Sequence, residues 1–233
     1  MLKKQRTLLR FALSSGAVGN NQIAMLPYQI TRTLFFARTS DALWQEARIS
    51  KNMAMQIDGF PGSSNSFLTR TFRASLRPGT LIGNHYHSPI EFLAGVDIGL
   101  PSILVIRDPR EAVNSWTRRW KGVPLLDGFA HYIRFHKALL DLDESVTVCD
   151  FNYVTKNGKL LVKDFSEKYN LPLNEDLPED LSVFEPRNQV RKKGEDPETL
   201  KIADLINQHR NDSRVKEAAE LYQQFYTREN TLK

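Results

Sequence analysis

"QIDGFPGSSNSFLTRTF", Gln56 to Phe72, runs from a short apolar strand through a loop of glycine, proline, serine and asparagine into a helix. A helix N-terminus presents backbone amides without intrahelical partners and a partial positive charge, so this junction suits an anion, most often a phosphate. The lysine of a nucleoside-triphosphate P-loop, which would follow as Gly-Lys-Ser/Thr, is absent.

Outward from this stretch, short strand-like runs alternate with longer helix-like ones, which predicts an α/β fold with a parallel β-sheet flanked by helices. "MAMQIDG" (Met53 to Gly59) is the first strand, and the helix from about Asn65 sets Leu68, Phe72 and Leu76 on one face. "RPGTLIGNHYHSP" supplies a turn at Pro78-Gly79 and a second short strand. "LPSILVIRDP" reads as a fully buried strand, its Ile103, Leu104, Val105 and Ile106 contiguous as expected where helices cover both sheet faces. Asp108 can cap the next helix and Pro109 fits its first turn, with Ala112, Val113, Trp116 and Trp120 as the buried stripe. A helix from Gly128 to about Leu142, the strand "SVTVCDF", a helix through "LLVKDFSEKYNL" and a last polar helix from Pro197 to about Tyr226 complete the order. The expectation is a single domain over 1–233, with a mostly helical N-terminal segment 1–52 and a basic loop plus helix at 185–226.

With 233 residues, 41% hydrophobic and 25% charged, the chain has material for one sizeable core. Lys+Arg 32 against Asp+Glu 27 gives a formal charge of +5, which favours anionic ligands without the charge density of a nucleic-acid-binding tail, so no nucleic-acid partner is expected. Cys149 is the only cysteine, which excludes an intrachain disulfide and a Cys-rich zinc site and suits a reducing compartment. The basic start "MLKKQRTLLRFALSSGAVG" imitates a signal peptide, but Arg10 interrupts its apolar run. No uncharged apolar run approaches the roughly 18 residues a membrane span needs, so a cytoplasmic protein without a membrane span is expected.

"NHYHSP" carries His85 and His87, two apart and therefore on one face if the strand continues through them. Such a pair could begin a metal site, which would need at least a third ligand. His131 and His136 lie elsewhere, five apart and not on one helix face, and no metal is expected.

Taken in order, these segments resemble the PAPS-dependent sulfotransferase family, in which a P-loop-related α/β domain transfers a sulfuryl group from 3′-phosphoadenosine 5′-phosphosulfate (PAPS) and releases PAP. The resemblance spans about Met53 to Gly194. The family's 5′-phosphosulfate loop, G-x-P-[RK]-S-G-[TN]-[TS], is matched by Gly59, Pro61, Gly62, Ser63, Ser64, Asn65 and Ser66, except that Gly62 replaces the basic residue and Ser64 a glycine. That missing charge would stabilise the sulfonate and the leaving phosphate, so something else must compensate or activity is weak. Ser63, Asn65 and Ser66 still offer side-chain donors. "VIRDPREAVNSW" resembles the R-D-P-x-[DE]-x-x-x-S signature, which implies that Arg107 and Ser115 contact the 3′-phosphate; an arginine fork suits that task. The alternative for Arg107 is a pairing with a nearby carboxylate.

"NHYHSP" resembles the K-x-H-x-P segment, which implies His87 as general base and sets His85 where a lysine meets the phosphosulfate. A protonated His85 would supply positive charge there, conditional on its pKa. Arg191-Lys192-Lys193-Gly194 resembles the R-K-G segment that closes over the 3′-phosphate, which implies a cofactor-facing role for Lys192 and Lys193, with Arg191 as a substitute for the leading arginine. The implied acceptor is a small molecule or glycan with a hydroxyl or amine, met by aromatic-bearing stretches around Phe35-Phe36, Trp120 to Phe129 and Tyr132. Two rivals stay open: a protein of this fold that binds PAP or PAPS without catalysis, and a basic scaffold that binds no nucleotide.

Overall fold

The computed structural model describes residues 49–119, 123–174 and 196–228. Its sheet has four parallel strands, β1 (Met55–Gly59), β2 (Ile82–Asn84), β3 (Ser102–Ile106) and β4 (Val146–Asp150), in the order β2-β1-β3-β4. Helix α1 (Asn65–Ser75) joins β1 to β2, and α2 (Pro89–Asp97) joins β2 to β3. Helices α3 (Pro109–Arg119) and α4 (Leu125–Lys137) precede β4, which is followed by α5 (Phe151–Lys168), α6 (Pro197–Gln208) and α7 (Ser213–Tyr226). The connection leaving β1 runs to one side of the sheet and the one leaving β3 to the other. The crevice between their carboxyl ends is the position where open α/β sheets bind ligands.

All four strands are buried along their whole lengths. The two-residue pleat divides β3 cleanly: Leu104 and Ile106 join one core with Phe60, Trp116, Phe129 and Phe225, while Ile103 and Val105 join the other with Leu68, Phe72, Val154 and Phe165. Helices α3, α4 and α7 therefore cover one face, and α1 and α5 the other. The expected α/β class with a helix-flanked parallel sheet is what the structure shows.

Several expected boundaries change. The helix expected from Gly128 begins at Leu125 and ends at Lys137, because Pro124 already provides an extended entry. Helix α5 begins at Phe151, directly after β4, where the Asp150 carboxylate accepts from the Asn152 amide and caps it. The single last helix is two: α6 ends near His209, and Asp212 caps α7 through the Arg214 amide. Helix α2 has no counterpart in the sequence reading. The helical segment expected over 1–52 falls almost wholly outside the described residues, as do Phe35, Phe36 and Trp120. Among the described residues no helix is long and apolar enough to cross a membrane.

Gly59 pairs with Val105 in the β1–β3 ladder, and a Cβ there would stand 2.2 Å from the Val105 carbonyl oxygen. Gly59→Ala has to push two backbones apart, so it should cost about 3 kcal/mol or more in a denaturant titration. A loss below about 0.5 kcal/mol would contradict this close approach.

His136, fully buried on α4, stacks on Tyr132 at 3.9 Å and donates Nδ1–H to the Tyr132 carbonyl at 2.9 Å. Burial lowers its pKa to about 4. The unfolded chain therefore binds a proton first, and the stability held above the ordinary histidine pKa of about 6.5 is lost as pH falls towards 4, by roughly 3 kcal/mol if His136 acts alone. His136→Phe should flatten the unfolding midpoint over that window; an equally steep acid loss in the variant would rule the assignment out.

Candidate active site

The loop between β1 and α1 is held by its own side chains. Asn65, buried at the start of α1, donates Nδ2–H to the Gly59 carbonyl at 2.9 Å and to Asp58 Oδ1 at 3.4 Å, closing the loop across its neck. Gly62 has φ 99 and Ser64 φ 70, two left-handed residues on either side of Ser63. Alternating conformations of this kind turn successive amides towards one concavity, a nest that attracts an anion. The amides of Gly62, Ser64, Asn65 and Ser66 have no hydrogen-bond acceptor among the described residues. The Ser63 hydroxyl is fully buried and likewise unpartnered. An anion would satisfy donors that the protein leaves over, which is the fit expected for a phosphate or phosphosulfate.

Three segments distant in sequence converge on this loop. From the carboxyl end of β3, Arg107 donates Nη1–H to the Gly62 carbonyl at 2.6 Å, while its Nε and Nη2 bind Glu111 Oε2 at 3.1 and 2.9 Å. The carboxylate pairing that was the alternative for Arg107 is therefore present. It leaves N–H groups on both terminal nitrogens unused among the described residues. The guanidinium lies 3.9 Å over the Phe151 ring, and Tyr132 donates to the Arg107 carbonyl at 2.8 Å, so side chain and backbone are both fixed. Ser115 on α3 comes to the same place, its Cβ 3.3 Å from where a Gly62 Cβ would be. Asp108 holds the start of α3 by accepting from the Arg110 amide at 2.8 Å.

The histidines arrive from the other side, and not on a strand. Strand β2 stops at Asn84, and both His85 (φ 56) and His87 (φ 46) are left-handed, separated by buried Tyr86. The expected shared strand face is thus replaced by a folded turn that still brings the rings to 5.7 Å. Left-handed backbone outside glycine is strained, and such strain gathers at functional sites. His87 Nδ1 lies 3.0 Å from the Gly59 carbonyl and 3.6 Å from Asp58, a fully buried carboxylate. A carbonyl only accepts, so Nδ1 carries the proton, and in the neutral tautomer the basic nitrogen is Nε2.

His85 bridges Asn84 Oδ1 through Nδ1 and Ser66 Oγ through Nε2, the latter at 2.6 Å. Asn84 Nδ2 faces the Ile82 carbonyl at 2.7 Å, which orients Oδ1 as the acceptor for His85. Neutral His85 therefore accepts from the Ser66 hydroxyl. When protonated it donates instead, and the Ser66 proton is released for another acceptor.

Of the expected site residues, Gly59, Pro61, Gly62, Ser63, Ser64, Asn65, Ser66, His85, His87, Arg107 and Ser115 belong to this one assembly. The Asn65 amide is turned inward to the loop neck, so its expected donation to an anion is replaced by a structural one. Arg191, Lys192, Lys193 and Gly194 lie outside the described residues. Asp58, Asn84, Glu111 and Arg119 went unread. Arg119 had a signal, since it stands four residues after Ser115 on the same helix face. Among the described residues no group of three or more His, Cys, Asp or Glu side chains could hold a metal.

No protein-family model, no curated protein and no solved structure matches the chain.

The left-handed Gly62 also bears on the missing basic residue. A Cβ there would lie 3.2 Å from the Ala112 carbonyl and 3.2 Å from Arg119 Nη2. Gly62→Arg is therefore expected to lower stability by about 1–3 kcal/mol and to weaken binding of an anion such as pyrophosphate at the loop, not to improve it. A calorimetric titration showing tighter binding at an unchanged unfolding midpoint would contradict that expectation.

Proposed function

We propose that the chain is a sulfotransferase of the P-loop-related α/β type, moving a sulfuryl group from PAPS to a hydroxyl or amine of a small-molecule or glycan acceptor. One observation carries the reading: the loop, Arg107 with Ser115, and the two histidines meet around a set of unsatisfied amides, in an order along the chain that resembles this family. A turn that merely joined strand to helix has no need of a strained histidine pair or of an arginine anchoring its carbonyl. The lone buried Cys149 agrees with a reducing cytoplasmic setting.

The donor brings a sulfur–oxygen bond whose cleavage transfers the sulfuryl group and leaves the electron pair on the 5′-phosphate. His87 Nε2 takes the proton that the acceptor hydroxyl or amine loses as its new bond to sulfur forms. Asp58 and the Gly59 carbonyl hold the His87 ring, and the nearby carboxylate favours the imidazolium that results. The loop amides, the Ser63 hydroxyl and, when His85 is protonated, the Ser66 hydroxyl meet the charge that accumulates on the departing oxygen. Arg107 and Ser115 hold the adenosine end by its 3′-phosphate, which keeps attack in line.

A second reading, a protein that binds PAP without transfer, is favoured by Gly62 and Ser64 and is separated by radiolabelled sulfate transfer across an acceptor panel. On the transferase reading, His87→Ala should lower turnover by roughly 10²–10⁴ with PAP affinity nearly unchanged in a calorimetric titration. Near-normal turnover at saturating donor and acceptor would remove His87 from the chemistry.

A further inference from the structure

Arg107 leads into α3 and Arg118 and Arg119 end it, and the three are not equally committed. Arg107 is bound to Glu111 at 2.9 Å, and Arg118 is bound to Asp196 at 2.8 Å and to Thr199 Oγ1 at 2.7 Å. Arg119, the last residue of α3, has no carboxylate partner among the described residues. Its Nε donates to the Ser115 carbonyl at 3.2 Å and its Nη2 lies 3.3 Å from Ser115 Oγ, contacts that any anion-facing arginine can keep while other N–H groups remain available.

The same Nη2 stands 3.2 Å from where the Cβ of Gly62 would be. A side chain at position 62 and the guanidinium of Arg119 thus compete for one volume. Although much of the Arg119 side chain is exposed, burial of the guanidinium is the first cause that lowers its pKa, followed by the charges of Arg118 and Arg107. Both causes act against the charged guanidinium, and a bound anion would offset them. The unpartnered, fully buried Ser63 hydroxyl follows Gly62 directly in the same loop.

We propose that Arg119 is the cation of the anion-binding loop, reaching from the end of α3 into the space that Gly62 leaves open and holding the sulfonate-bearing end of the donor. This assignment rests on the sulfotransferase reading for the identity of the anion, but not for its existence. It explains why the loop tolerates glycine where a basic side chain would otherwise be wanted: the charge arrives from a neighbouring helix, and the glycine makes room for it. Arg107 and Ser115 are left with the 3′-phosphate.

The test is isothermal titration of the full chain with three probes: PAP, adenosine 5′-phosphosulfate, which lacks the 3′-phosphate, and pyrophosphate, which lacks the nucleoside. Arg119→Ala should weaken adenosine 5′-phosphosulfate and pyrophosphate by more than about tenfold, Arg119→Lys should retain most of the affinity, and Arg107→Ala should affect PAP far more than the other two. Arg119→Gln, which keeps reach to Ser115 without the charge, is the second variant should Ala lower the unfolding midpoint. Arg119→Ala and Arg119→Gln proteins that bind pyrophosphate within about twofold of the wild type overturn the proposal. Wild-type protein that binds pyrophosphate in an Arg119-dependent way but ignores PAP keeps the anion seat and removes the sulfotransferase reading. Wild-type protein that binds none of the probes overturns both.

Discussion

The site depends on one close approach. At Gly59 the backbone of β1 runs against β3 with no room for a side chain, and the chain then lifts into the loop directly beside the residues that leave β3. Parallel strands emit their connections from the same edge, so the 59–64 loop and Arg107 emerge side by side. The bond from Arg107 to the Gly62 carbonyl turns that proximity into a fixed geometry. Any residue larger than glycine at position 59 would move the loop relative to Arg107, and with it every group the loop supports.

Around that approach the protein buries polarity where apolar side chains would pack more cheaply. Asp58 and Asp150 lie near the carboxyl ends of β1 and β4, and each is held by groups from separate elements. Asp58 faces Asn65 of α1, the Ser88 amide before α2, and His87; Asp150 receives Tyr222 of α7 and the first turn of α5. A buried carboxylate is tolerable only when hydrogen-bonded, so these contacts fix the relative positions of four helices. The burial also acts on its partners: the Tyr222 hydroxyl is held well above the usual tyrosine range, by desolvation first and then by the bond and charge of Asp150.

The contrast between satisfied and unsatisfied donors marks where a ligand belongs. Asp150, Asp196 and Asp212 cap α5, α6 and α7, whereas α1, α2 and α4 begin without a side-chain cap; of these, α1 starts in the loop where the amides of Gly62, Ser64, Asn65 and Ser66 have no acceptor among the described residues. The left-handed His85 and His87, each at a cost on the order of 1 kcal/mol, are retained because Tyr86 between them is buried and bonded to Met53, which leaves the turn no relaxed alternative.

Much of the scaffold was legible in the residues themselves, because it is written in local periodicity. The contiguous apolar run of β3, the Asp108-Pro109 start of α3 and the Gly/Ser junction after β1 each declare themselves within ten residues. Proximity was not legible. That the Gly62 carbonyl meets Arg107, that Ser66 meets His85, and that Arg119 fills the volume a side chain at position 62 would take are consequences of strand order and close backbone packing between segments far apart in sequence. The two histidines show the boundary most clearly. Their spacing suggested a shared strand face, but β2 ends at Asn84 and both histidines are left-handed on either side of buried Tyr86. Residue type and spacing therefore determined which groups were available, while tertiary packing decided which donors stay unsatisfied, because that depends on what arrives from the other elements.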